Sequence, residues 1–425
     1  MTLFKNAGLG CFVVFLLWSC AKEESSIPVI SIEDPTTGTV VYVPTDVLVK
    51  ANVTDPELVS IRVDLVDESF RQVLPPQWVK VTSTNMEFQI NYPIYGKELS
   101  TGDYYIKITA ANSDNQATGF KKIALIGTPL NYKGLYAMGV LGTQIQWTQI
   151  DSTGGMTSLP PITSQLYGMA IHSGESQVSL ATQQSNQLQT YFTGDHSNPE
   201  WTKSFIGSNL SIIQWVEHDG QYIGLFSDGW MRSYRFNGNL AWSFQLLDSY
   251  VPTKIFDTGD QWTVYAVQTG TQFKRVYKLN RNTGAPLLQK DIWFPILEIL
   301  PNFQGYWLIT QESDATSIFP FDAPNNNIGP SLFSVNKTGQ GAISITDQIQ
   351  IWALEDGVYQ FSVSPLGLTP VDAQVVDQIK YDPVLNRILY VSGSQLDWIS
   401  YPSFLGSQSI TLAHPVEYVD LWYNK

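Results

Sequence analysis

An all-β chain of two parts is what the sequence predicts, and three observations carry the prediction. From Leu166 onward the chain repeats a short strand-rich unit. Before about residue 126 it runs through brief strands with turn residues between them. Nowhere does an apolar pattern of helical period replace either.

The repeat is written from the start of each innermost strand: Leu166, Ser211, Thr253, Ile296, Ala342, Gln378 and Val416. By subtraction the starts lie 36 to 46 residues apart, a spacing that suits propeller blades of four strands each. The second strands are the clearest: Tyr222–Phe226, Trp262–Val267, Tyr306–Thr310, Gln350–Leu354 and Arg387–Val391. They are rich in β-branched and aromatic residues. Third strands follow within a few residues, as in Met231–Phe236 and Gln395–Tyr401. Val416–Asn424 reads as a first strand with nothing after it, and Gly134–Leu141 as a second strand with no first. Together they complete a seventh blade, which closes the ring and leaves no open sheet edge. The prediction is a seven-bladed β-propeller closed by the C-terminal strand, over residues 134–425.

Three segments add a resemblance. Lys278–Leu288 (KLNRNTGAPLL) and Phe236–Phe244 (FNGNLAWSF) resemble the turn between third and fourth strands in quinoprotein-like propeller repeats. Tyr381–Ser392 (YDPVLNRILYVS) is similar to the YVTN-type repeat. The resemblance implies the fold and no particular chemistry.

Residues 27–126 carry about seven short strands, among them Val47–Val53, Val59–Val66, Phe88–Tyr92, Tyr104–Ala111 and Phe120–Leu125. That density suggests an immunoglobulin-like sandwich. Gly102–Lys122 resembles the last hairpin of such domains in bacterial surface proteins. The sandwich is expected to act as a spacer. Asp34, Asp55 and Glu57 match no calcium loop. A short linker, 127–133, contains Pro129 and restricts the angle between the parts.

The N-terminus reads as an address. Residues 1–19 hold one Lys, Lys5, and an apolar run, Gly8–Trp18, too short to span a bilayer. Leu17-Trp18-Ser19-Cys20 resembles the bacterial lipobox, which implies cleavage before Cys20 and lipidation of that residue. Trp18 is bulkier than the family's usual residue. Residues 20–26 form a tether, and Lys22-Glu23-Glu24 looks like the export tag of Bacteroidetes surface lipoproteins. The resemblance implies an outer-membrane location, lipid-anchored and facing the cell exterior. Cys11 leaves with the leader, so no disulfide is expected.

The chain carries 24 basic and 38 acidic side chains, a formal charge of −14. That balance excludes nucleic acid as a partner, because few cations are present to neutralise phosphates. His172, His196, His218 and His414 fall in no paired-ligand spacing, and neither a GxSxG nor a phosphate loop is present. No metal and no cofactor is expected. Carboxylate pairs occur at Glu217/Asp219, Glu312/Asp314 and Glu355/Asp356, and Glu355-Asp356-Gly357 reads as a tight turn. Loops between second and third strands and between blades gather on one face of a propeller. There the prediction places Tyr167, Asp228, Trp230, Tyr250, Trp293, Phe294, Glu312, Asp314 and His414 as ligand-binding residues. Aromatic faces beside carboxylates suit sugars or a protein surface. The expected function is non-enzymatic recognition of an outer-membrane protein, as an accessory subunit of a barrel complex, or of a polysaccharide. An extracellular lyase or glycosidase is the alternative.

Overall fold

The computed structural model describes residues 26–95, 99–182, 187–205, 210–218, 220–247, 249–259, 261–271, 273–302 and 305–424. The leader, Cys20 with the tether as far as residue 25, and Asp219 lie outside the described residues. Two compact units are present, Met1–Pro129 and Leu130–Lys425.

The first unit is built of two sheets. Val29–Asp34, Thr45–Thr54 and Asn85–Ile94 make one; Thr39–Tyr42, Gln116–Ile126, Gly102–Ala111, Ser60–Val66 and Gln77–Val79 make the other, in that order. In Thr45–Thr54 every second residue, Val47, Val49, Ala51 and Val53, is buried. This is the period-two pattern of a strand with one face inside. These residues share one core with Ile61, Val63, Leu65, Ile106, Ile108 and Ile123 of the second sheet, so the unit is a sandwich. Tyr92 ties the sheets together: its hydroxyl accepts from the Leu65 amide and donates to the Pro75 carbonyl. Asp55 is buried, and its carboxylate accepts from Ser26 Oγ, Asn112 Nδ2 and the Glu57 amide.

Among the described residues the second unit contains seven antiparallel sheets, and it is a β-propeller. Six of the sheets are runs of consecutive strands. Their first strands are Leu166–His172, Ile212–His218, Tyr250–Asp257, Ile296–Asn302, Gly339–Thr346 and Gln378–Asp382. The remaining sheet joins Tyr418–Tyr423 to Tyr132–Leu141, Gln144–Asp151 and Met156–Ser158. Its register sets Tyr418 opposite Met138, Val419 opposite Ala137 and Asp420 opposite Tyr136. The two distant segments therefore form one sheet. The closing strand begins at Tyr418 rather than Val416, because the Val416 amide bonds instead to the Gly393 carbonyl of the neighbouring sheet. Gly139 allows this approach, since a Cβ there would lie 1.8 Å from the Pro415 oxygen.

Packing completes the circle. Seven hydrophobic clusters each bridge two neighbouring sheets. One of them joins Leu389, Val391 and Trp398 of the last full sheet to Leu135, Val419 and Leu421 of the closing one. Trp147, Trp262, Trp352 and Trp398 are fully buried, which accounts for much of the aromatic content: flat sheets need large rings to fill the wedge between them. The quinoprotein-like turns repeat one device. Gly238 sits against the Trp201 ring, whose Nε1 donates to Phe236 O, and Gly284 sits against Trp242. At Gly284, with φ +67°, a Cβ would fall 2.4 Å from the indole.

Lys278, in the same repeat, is fully buried. Its amine donates to the hydroxyls of Thr258 and Thr263 and lies 4.9 Å from the centre of the Phe321 ring in the next sheet. Burial pulls the amine down to about 7, against the opposing field of Asp322. The unfolded chain then binds a proton between about pH 7 and 10.5 that the native chain does not, so this stability is lost as pH falls through that window. Lys278→Met leaves the two Thr hydroxyls bonded to each other at 2.8 Å. We expect its Tm to match or exceed the wild type at pH 6, with a smaller gain at pH 10. A variant less stable at pH 6 than at pH 10, each relative to wild type, contradicts this.

The axial cavity as candidate functional site

The inner strands enclose a cavity of about 510 Å³. Six of them line it: Leu166–His172, Ile212–His218, Tyr250–Asp257, Ile296–Asn302, Gln378–Asp382 and Tyr418–Tyr423. Five inner strands start with the same irregularity, one extra residue opposite the second strand, at Leu166/Gly168, Ile212/Gln214, Pro252/Lys254, Ile296/Glu298 and Gly339/Gly341. A bulge re-aims the residue that follows it. Gln214, Lys254 and Glu298 thus occupy equivalent places on three successive strands, and all three line the cavity.

A belt of side-chain to main-chain bonds links these strands. Gln214 Oε1 accepts from the Ile255 amide, and Lys254 Nζ donates to Leu297 O at 2.6 Å. Gln378 Nε2 donates to Glu417 O, and Tyr418 Oη donates to Tyr167 O. Further along the channel Lys380 lies 3.5 Å from Asp420, and Arg281 clamps Asp257 with two nitrogens at 2.7 and 2.9 Å. Glu217 accepts from the Gly220 amide.

These groups feel one another across the axis. Burial pushes the Glu298 carboxyl up to about 7, with Lys254 and Lys380 opposing. His218 is held below the usual imidazole range by burial, against Asp257 and Asp420. For Glu298 the native chain binds a proton between about pH 4.5 and 7 that the unfolded chain has lost, so stability falls as pH rises through that window. Glu298→Gln, which keeps the neutral shape, is expected to match wild type at pH 4.5. At pH 8 it should be more stable by up to about 3 kcal/mol. Urea titration at both pH values checks this, and an equal difference at the two would contradict it.

Of the residues expected on the ligand face, Tyr167 alone lines this cavity. Three are corrected by the structure. Tyr250, Phe294 and His414 are buried. Tyr250 packs edge-on to Tyr277 beneath Arg275, Phe294 stacks on Phe319, and His414 bonds Thr148 Oγ1 through Nε2. They follow the last strand of a sheet, where the chain passes inward between neighbours and needs bulk. Asp228, Glu312 and Asp314 are exposed and Trp230 is half-buried. Asp228 and Trp230 meet through Arg232, which lies 3.6 Å from the carboxylate and 5.3 Å from the indole centre. Trp293 is 75% exposed. Glu355-Asp356-Gly357 is a turn, with Asp356 paired to Lys337.

Sequence reading missed Lys254, Glu298, Lys380 and Asp420, and it set Glu217 and His218 aside. The available signal was a charge inside an apolar strand, as in Lys254-Ile255-Phe256 and Leu297-Glu298-Ile299. Among the described residues no three His, Cys, Asp or Glu are grouped to hold a metal ion.

No family model and no curated protein matches the chain. Solved structures do resemble it. A 6-phosphogluconolactonase-like protein from Bacteroides fragilis is 12% identical over 68% of this chain and 98% of its own, with a TM-score of 0.51. A quinoprotein alcohol dehydrogenase-like protein from Bacteroides thetaiotaomicron is 10% identical over 93% and 99%, at 0.48. BamB from Moraxella catarrhalis is 12% identical over 67% and 92%, at 0.40. At such identities the likeness speaks for the fold alone.

Proposed function

We propose that the chain is a lipid-anchored protein of the outer cell surface whose seven-bladed propeller recognises a partner protein, with an immunoglobulin-like sandwich as spacer. The observation that carries the recognition reading is an apolar patch on the connections of one blade. Leu247, Phe273 and Trp293 are 73%, 65% and 75% exposed. The Thr269 amide bonds the Ser249 carbonyl, which joins the first two connections, and the Lys274–Ile292 ladder pair brings Phe273 beside Trp293. Exposed large apolar groups clustered in this way mark interaction surfaces, and aromatic residues dominate binding energy at such sites. Asp228, Trp230, Glu312 and Asp314 would extend the same surface as its polar rim.

The immunoglobulin-like assignment of the spacer is supported by Tyr104. It lies near the start of the strand Gly102–Ala111, and its hydroxyl donates to Ser100 O four residues upstream. This is the tyrosine-corner arrangement of such domains. The anchor is supported by the lipobox-like Leu17-Trp18-Ser19-Cys20, and release of a Cys20→Ala form from the membrane fraction is the expected result.

Recognition is tested by placing a photo-crosslinking residue at position 293 in cells. A single crosslinked protein, lost in Leu247→Ser/Phe273→Ser, supports the reading, and an outer-membrane barrel would fit the accessory-subunit version. No crosslink, or an unchanged pattern in the variant, contradicts it. A second reading, a carbohydrate-active lyase or glycosidase, is favoured by one observation: Glu217, Glu298 and Asp420 converge on the axial cavity. Release of reducing ends from a polysaccharide, abolished in Glu217→Gln or Glu298→Gln, would establish it.

A further inference from the structure

The axial cavity is more polar and more ordered than a seam between sheets requires. We propose that it is a binding site for a short neutral saccharide, one or two sugar rings. This site is separate from the apolar rim and does not rest on the partner reading.

The first ground is charge. Lys254 and Lys380 line the cavity together with Glu217, Asp257, Glu298 and Asp420. Two of the carboxylates are already paired with cations, Asp257 with Arg281 and Asp420 with Lys380. A charged ligand would have to compete with the pairs already formed, and an apolar one would strand the polar lining. A polyol finds both donors and acceptors.

The second ground is preorganisation. Gln214, Lys254 and Gln378 each spend part of their hydrogen-bonding capacity on a neighbouring strand. A Gln carries two N–H donors and an oxygen with two lone pairs, and a Lys carries three donors. The belt therefore fixes each side chain and leaves further donors and acceptors on the same groups. Little ordering entropy remains to be lost on binding.

The third ground is shape. The cavity volume falls within the range of small-molecule sites, roughly 300–1,000 Å³. Tyr167 and Tyr418, both half-buried, add aromatic surface to its wall, against which the C–H face of a sugar ring packs.

The test is calorimetric titration of the full chain in detergent with cellobiose, maltose, lactose and diacetylchitobiose. Cadaverine and glucuronate serve as charged comparators. At least one neutral disaccharide is expected to bind with a Kd of about 1 mM or tighter. Glu298→Leu and Gln214→Ala should weaken that binding at least tenfold, whereas Trp293→Ala should leave it within twofold. If Glu298→Leu does not fold by circular dichroism, Gln214→Ala decides. The proposal is overturned if none of the four binds at about 10 mM. It is equally overturned if a charged comparator binds as tightly, or if both cavity variants bind like wild type. Because Trp293→Ala alters the rim alone, failure of the cavity and failure of the partner surface give different results.

Discussion

Deleting the segment after Pro415 is expected to unfold the propeller rather than shorten it. The closing strand buries Val419 and Leu421, and Val416 is buried just before it. At about 1.5–3 kcal/mol for each buried aliphatic side chain, their loss amounts to about 5–9 kcal/mol. A whole domain is stable by only about 5–15 kcal/mol. The deletion would also expose the backbone edge of Tyr132–Leu141, which pairs with the closing strand, and an unpaired edge invites aggregation. The expected outcome is loss of the cooperative thermal transition, with recovery when a peptide spanning 415–425 is added. A truncated chain that melts cooperatively near the wild-type temperature would mean that the ring does not depend on this strand.

Asp382→Ala is expected to have the next largest effect. Asp382 is fully buried and accepts from Arg387 Nε at 3.2 Å, the Val384 and Leu385 amides, and Tyr423 Oη at 3.3 Å. It therefore ties the last full sheet to the closing strand. The Arg387 guanidinium is wedged 3.7 Å from the Trp398 ring centre and 4.7 Å from that of Tyr132. Removing the carboxylate strands that half-buried cation, at a cost of up to about 3–5 kcal/mol. For a unit of this size the Tm should fall by roughly 10 °C. Adding Arg387→Met should recover part of the loss, because the unpaired charge goes with it. A double variant as unstable as the sum of the two singles would show that the pair is not coupled.

Much of the fold is legible in local residues. The strand written as Tyr222–Phe226 is present as Gln221–Phe226, and that written as Arg387–Val391 as Arg387–Ser392. These strands are buried on both faces, so their apolar runs are continuous and bounded by Gly, Asp or Ser. The pairing of the last strand with the segment beginning near Gly134 was legible because each lacked a partner of its own. Inner-strand starts were harder. Thr253 and Ala342 stand where the strands begin at Tyr250 and Gly339, because the bulges break the alternation that marks a strand. The site was largely hidden for a different reason. Gln214, Lys254, Glu298, Lys380 and Asp420 come from the inner strands of five different sheets, and no linear spacing relates them. Each looks like an isolated charge or amide in an apolar strand until the ring brings them to one axis. Trp293 and Phe294 make the complementary point: adjacent aromatic residues, one three-quarters exposed and the other buried, differ only in which side of the connection they face.

The measurement that bears most directly on the closed ring is a disulfide between its two ends. Ala137 and Val419 are directly opposite in the closing sheet, and both are buried. Cross-strand Cα separations of about 4.5–5.5 Å fall within the range a disulfide spans. In the Ala137→Cys/Val419→Cys chain, air oxidation should give a 137–419 crosslink in high yield by peptide mass spectrometry, and Ala137→Cys/Val416→Cys should give little. Absence of the 137–419 link, or equal yields from the two pairs, would place the chain ends in separate sheets and leave the axial cavity without its sixth wall.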